Sequence, residues 1–143
     1  TGQVVFIGSM RGEAPSPFSS FYSASKAALR SFAECLRMEV RRFGVRVSVV
    51  APWHIRTTLP QEKLAAPRSP YADALRKVKE SRDRMIGSAP PPEVVADLVM
   101  RIVRSRNPRS FYTAGRNAGL QAFMVRHLPR ALVESSSARR FGL

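Results

Sequence analysis

At 143 residues, with 44% hydrophobic and 24% charged residues, the chain has the size and balance of one folded domain rather than a disordered segment. No uncharged run approaches the roughly twenty residues of a membrane-crossing helix, no basic stretch precedes an apolar leader, and a single cysteine excludes an intrachain disulfide framework or a cysteine metal cluster. Basic residues outnumber acidic ones 24 to 10, a formal charge of +14 that would suit nucleic acid or an anionic membrane, although arginines scattered along the chain more simply describe a solvated basic face.

Gln3–Ser9 is a nearly continuous apolar run rich in β-branched residues, the pattern of a strand covered on both faces. Met10–Ser20 carries Gly12, Pro15 and Pro17 and reads as a loop. From Phe21 to Phe43 there is neither glycine nor proline. Ala24, Ala28, Phe32, Cys35 or Leu36, and Val40 recur there at helical steps, which predicts one long helix with Cys35 packed as a small hydrophobe. Arg37, Arg41 and Arg42 suit the C-terminal end of its dipole, and Gly44 suits the residue just beyond it.

Val45–Val50, closed by Ala51 and Pro52, is a second strand, so strand, helix and strand form a βαβ unit with parallel strands and a right-handed crossover. Trp53–Ser69 is irregular. Tyr71–Ile86 places Leu75, Val78 and Met85 on one face of an amphipathic helix, which Ala89–Pro92 breaks. Glu93–Arg104 restarts behind proline, acidic early and arginine-rich late, in keeping with the helix dipole. Ser110–Thr113 is a short third strand. Arg116–His127 and Arg130–Arg140 are surface helices parted by Pro129.

Tyr22 and Lys26 stand four apart, on one face of the long helix. A free phenol titrates near pH ~10 and is a poor acid–base catalyst near neutrality, but an ammonium one turn away favours the phenolate. The spacing alone is weak, since three tyrosines and four lysines give about 0.08 such pairs by chance. Position strengthens it. Ser9 ends the first strand and Pro52–Thr57 follows the second, both at the carboxyl edge where open parallel sheets collect ligands.

Gly8-Ser9 after a strand, twelve intervening residues, Tyr22-Ser-Ala-Ser-Lys26, a further strand and then Pro52-x-x-Ile55-x-Thr57 together resemble the C-terminal, catalytic half of the short-chain dehydrogenase/reductases. The resemblance runs in order from Thr1 to Thr57 and more loosely to Gly115. It implies an α/β fold, part of a doubly wound parallel-sheet (Rossmann-like) fold: three strands with flanking helices, the N-terminal half missing. Residues 1–115 would hold the strands and a substrate loop at 58–88, and residues 116–143 a helical extension.

It also implies an NAD(P)-dependent alcohol/carbonyl oxidoreductase. Tyr22 would donate or accept the proton, Lys26 would support the phenolate and hold the nicotinamide ribose, and Ser9 would hydrogen-bond the substrate oxygen. Pro52, Ile55 and Thr57 would border the nicotinamide, Ile55 through its backbone and Thr57 through its hydroxyl. For Thr57 a helix-cap or turn role is an equal alternative. Leu59, Leu64, Tyr71, Leu75 and Met85 would give the small-molecule substrate an apolar cover, so a hydrophobic alcohol or carbonyl compound is expected.

The sequence departs from the family pattern in two ways. Trp53 stands where the family usually has glycine, and a bulky ring cannot follow every backbone path open to glycine. The glycine-rich turn that seats the pyrophosphate, the residue that selects NAD or NADP, and the relay asparagine are not among these 143 residues. With no initiator methionine, the chain reads as a fragment, inactive alone, whose first strand has an unpaired apolar edge. A homo-oligomer through the 21–43 helix is expected, and a reducing, cytoplasmic setting. The competing reading is a non-enzymatic basic module for nucleic acid or anionic membrane. Its membrane contact would be a surface helix carrying Phe123, Met124, Leu128, Arg126 and Arg130, against the simpler packing of that helix on the sheet or a partner subunit. His54 and His127 lack partners at metal-ligand spacing, so no metal is expected.

Overall fold

The computed structural model describes residues 2–57 and 68–141. Strand β1 is Gly2–Ile7, followed by a single 3-10 turn at Met10–Gly12 and helix α1 at Ser20–Val40. Strand β2 is Val45–Pro52, helices α2 and α3 are Ala72–Gly87 and Glu93–Arg104, strand β3 is Phe111–Ala114, and α4 and α5 are Ala118–His127 and Arg130–Phe141. Every predicted strand and helix is present, with ends shifted by one or two residues, except that α1 stops at Val40 and the rest of the predicted 21–43 helix, Arg41–Phe43, is a 3-10 turn. The 3-10 turn at Met10–Gly12 lies inside the expected 10–20 loop.

The sheet has the order β1-β2-β3 and both pairings are parallel, Val4 lying opposite Val47 and Val50 opposite Tyr112. β2 is central, which is why Val47–Ala51 is buried throughout. Its alternation sorts the core into two faces. Val47 and Val49 join Ala33, Leu36 and Val40 of α1, while Val50 joins Leu98 and Ile102 of α3 and Ala114 of β3. Helices therefore cover both faces of the sheet. Val50 and Ile102 are almost wholly enclosed, each burial worth about 1.5–3 kcal/mol.

The expectation of a first strand covered on both faces is corrected. β1 is paired only with β2 among the described residues, and Val4 and Ile7 are 36% and 46% exposed. An apolar run specifies a strand, but its neighbours decide what covers it.

The buried face of α1 also differs from the apolar stripe. Ser23, Lys26, Arg30, Ala33, Arg37 and Val40 form the inward row, while Ala24, Ala28 and Phe32 are exposed. Three cations are accommodated on that row because each finds an acceptor. Lys26 donates to the Ile7 carbonyl, Arg30 pairs with Glu13, and Arg37 donates to the Val47 and Pro108 carbonyls. Cys35 lies a third of a turn from Leu36 and two residues from Ala33, so it is exposed rather than packed. Gly44 closes the 3-10 turn Arg41–Phe43 that follows α1, with φ of 71°, the left-handed conformation expected of that residue.

Candidate active site

β1 and β2 end at the same edge, and their exits form the site. The Gly8 N–H still donates to the Val50 carbonyl at 2.8 Å, so Ser9 leaves the sheet from a fixed anchor. Its backbone is extended and caps the 3-10 turn. Ser9 Oγ accepts the Arg11 N–H at 3.1 Å, which leaves the hydroxyl hydrogen free to donate elsewhere. The turn is closed by Gly12 N–H to Ser9 O and Glu13 N–H to Met10 O, above a fully buried Met10.

Tyr22 sits in the first turn of α1, half exposed. One turn on, Lys26 Nζ lies 5.7 Å from the centroid of the Tyr22 ring and donates to Ile7 O at 3.3 Å, a hydrogen bond that holds the ammonium against the strand end. Ser9, Tyr22, Ile55 and Thr57 line one cleft of about 510 Å³. Lys26 and Pro52 stand outside its lining, Lys26 beside the Tyr22 ring and Pro52 at the end of β2 opposite Ala114. Thr57 is the last described residue before 58–67, so its capping alternative lies outside the described residues, as do Leu59 and Leu64.

The far wall is α2, which contributes Val78, Arg82, Met85 and Ile86. Of the expected apolar cover, Met85 lines the cleft and Tyr71 packs on Phe18, while Leu75 does neither. Sequence reasoning missed Phe18, Phe21 and Arg11, all in or beside the presumed loop. The available signal was position: Phe18 and Phe21 stand immediately ahead of Tyr22 at the start of the long helix. His54 stands in the loop that follows β2. It is partly buried, lines the cleft and lies with its ring centroid 4.6 Å from that of Trp53.

Trp53 fits without a glycine's backbone. Among the described residues, positive φ outside glycine is confined to Phe18 and Asn117, and the indole packs on the Met10, Ala51 and Ala122 cluster with Arg11 over its face at 5.0 Å. No group of metal-ligating side chains occurs among the described residues.

Behind the cleft, Glu13 pairs with Arg30 of α1 and lies 3.8 Å from Arg126 of α4, and both guanidinium groups sit on the Phe111 ring. Burial lowers the Arg30 pKa, but hydrogen bonds and charge from Glu13 and Glu34 outweigh it and hold the group above its ordinary value. A second cavity, about 260 Å³, lies between the Glu13–Pro17 segment and α5. It contains none of the serine, tyrosine and lysine set, so the larger cleft is the candidate site.

The family profile described as short chain dehydrogenase matches residues 1–68. The chain is 33% identical over 138 residues to dehydrogenase/reductase SDR family member 7B of Xenopus laevis, covering 96% of this chain and 40% of that protein. It is 28% identical over 148 residues to 17-beta-hydroxysteroid dehydrogenase type 6 of Mus musculus, covering 93% and 46%. The crystal structure of a short-chain dehydrogenase from Streptomyces avermitilis superposes with a TM-score of 0.67 at 29% identity, covering 99% of this chain and 52% of that one. The chain thus spans less than half the length of those two relatives.

Proposed function

Because the chain belongs to the short-chain dehydrogenase/reductase family, we propose that its cleft is the catalytic end of an NAD(P)-dependent alcohol/carbonyl oxidoreductase in which Tyr22 donates and accepts the proton. The observation that carries this reading is the meeting of Ser9 and Tyr22 in one cleft, with the Lys26 ammonium 5.7 Å from the Tyr22 ring.

In the reductive direction the carbonyl carbon gains a hydride and its π pair moves to oxygen. The Ser9 hydroxyl donates a hydrogen bond to that oxygen, and the Tyr22 hydroxyl delivers the proton that completes the alcohol. Lys26 offsets the phenolate left behind. Oxidation runs the same steps backwards. A bound nicotinamide dinucleotide supplies or takes up the hydride. The residues present fit its nicotinamide end, with an ammonium at Lys26 for ribose hydroxyls and a backbone N–H at Ile55 and hydroxyl at Thr57 for the carboxamide. No stretch of these 143 residues offers a glycine-rich pyrophosphate turn, so the chain on its own is expected to show no turnover.

Phe18, Phe21, Val78, Met85 and Ile86 give the cleft apolar walls, which supports a hydrophobic substrate. A hydroxysteroid dehydrogenase among the relatives supports the same class. Away from the cleft, the exposed Phe32 and Met38 of α1 support subunit pairing through that helix.

The test uses the natural polypeptide that carries this sequence. It is expected to change the fluorescence of reduced nicotinamide dinucleotide. Tyr22→Phe should lower turnover by at least ~10²-fold while preserving that change. Undiminished turnover in Tyr22→Phe would defeat the proposal. So would a protein that ignores dinucleotides and binds DNA or anionic vesicles with steep salt dependence.

A further inference from the structure

The backbone of Phe18 has φ of 58°, the left-handed region that a bulky L-residue adopts only under strain. The surrounding segment explains how it is held there. The Ser19 N–H donates to the Ser16 carbonyl at 3.2 Å, closing a turn with Pro17 second and Phe18 third. Proline at the second position and positive φ at the third are the marks of a type II turn, whose third position calls for glycine. Ser19 then caps α1, so the strained residue lies one helical turn ahead of Tyr22.

Glycine in that position would remove the strain, and phenylalanine is there instead. Its ring does two things. It lines the cleft with Ser9 and Tyr22, and it meets the Tyr71 ring edge-on at 5.8 Å, touching the residue that caps α2 on the opposite wall. Strain concentrated in a residue facing a reaction site is characteristic of groups kept for what they contact.

We propose that Phe18 is the specificity-determining wall of the substrate site, packing against the apolar body of a bulky, cyclic carbonyl or alcohol compound held between the Tyr22 end of α1 and the cover helix α2. This deepens the oxidoreductase reading and rests on it. Phe18 takes no part in proton transfer. Its ring removes water from the substrate's apolar face and limits the positions in which a large ring can present its oxygen to Ser9 and Tyr22.

The test is Phe18→Gly in the natural polypeptide, assayed with ketones of increasing bulk from butanone to decalone. The ratio of kcat/KM for decalone to that for butanone is expected to fall by about 10-fold or more. The melting temperature should hold or rise, because glycine accepts φ of 58° without steric cost. A merely structural ring would behave oppositely, with a lower melting temperature and equal losses for both ketones, and that result would overturn the inference. Phe18→Asn, which also tolerates the left-handed backbone, repeats the comparison should the glycine variant not fold.

Tyr22→Phe run in parallel separates the two levels. If it abolishes turnover while Phe18→Gly leaves the ratio unchanged, the Phe18 assignment alone fails. Unimpaired turnover in Tyr22→Phe, or no turnover by wild type of any ketone in the series, overturns the parent reading and this one with it.

Discussion

Gly12 and Lys26 are in backbone contact. A β-carbon built on Gly12 would stand 2.9 Å from both the carbonyl carbon and oxygen of Lys26, and 3.0 Å from the Ala27 nitrogen. These are helix backbone atoms, which cannot swing aside as the end of a side chain would. The Ser9–Gly12 turn therefore seats directly on the turn of α1 that holds Tyr22 and Lys26. The spacing between the serine and the tyrosine–lysine pair is set by the missing side chain of residue 12.

Gly12→Val should push the turn off the helix. Overpacking of this kind costs about 1–3 kcal/mol, and denaturant titration of the variant should show a loss in that range. Turnover should fall further than stability, because catalysis responds to a displacement of about 1 Å. A valine variant with native stability and turnover would show that the contact does not position Ser9.

Glu13 carries the next prediction. Its side chain is 12% exposed and is shared between Arg30 and Arg126, each stacked on Phe111. The Arg30 pair is the enclosed one, with the arginine side chain 25% exposed, whereas Arg126 is 44% exposed and its pairing adds little. Glu13→Gln keeps the shape and removes the charge, leaving two guanidinium groups on one ring without their shared anion. Stability should fall by about 1–3 kcal/mol. Arg126→Gln should cost under about 1 kcal/mol, and an equal loss in both variants would contradict this ranking.

Cys35 marks the limit of what the sequence made legible. The order of the strands along the chain and the βαβ unit follow from short-range patterns, a β-branched run and a helix without breakers. Ser9, Tyr22, Ile55 and Thr57 are singled out by the family resemblance, whereas Arg11, Phe18 and Phe21 of the same cleft are not. The inward face of α1 does not follow from such patterns either. It contains Lys26, Arg30 and Arg37, acceptable there only because Ile7, Glu13, Val47 and Pro108 supply acceptors from segments distant in sequence. An apolar count along the helix therefore finds Leu36 and Val40, which do pack on the core, but wrongly adds Ala24, Ala28 and Phe32 and places Cys35 inside. Phe18 escapes for a different, local reason: the turn between Ser16 and Ser19 puts it in the left-handed conformation that sequence rules reserve for glycine. The exposed thiol of Cys35 should react with an aromatic disulfide reagent in the native protein at a rate close to that in denaturant, and Cys35→Ser should alter stability by no more than about 0.5 kcal/mol. Protection of the thiol until unfolding would restore the packed assignment.

Ser9 has two hydrogen-bonding duties, one read in stability and the other in rate. Its oxygen accepts the Arg11 N–H at 3.1 Å, a structural bond inside the turn, and its hydrogen is left to meet the oxygen of a substrate. Ser9→Ala removes both. The structural bond joins neighbours in a partly buried turn already closed by two backbone hydrogen bonds, so its loss should cost only about 0.5–1.5 kcal/mol of stability. Loss of the donor acts on the reaction instead. A donor aimed at developing charge on oxygen is worth about 10²–10³ in kcat. The variant should bind reduced dinucleotide as wild type does, melt within a few degrees of it, and lose turnover by that factor. Ser9→Thr keeps the hydroxyl and should recover part of the rate, because the added methyl crowds the turn without removing the donor. If alanine and threonine variants lose rate equally, the loss comes from distortion of the turn, and the hydroxyl has no separate role in the reaction.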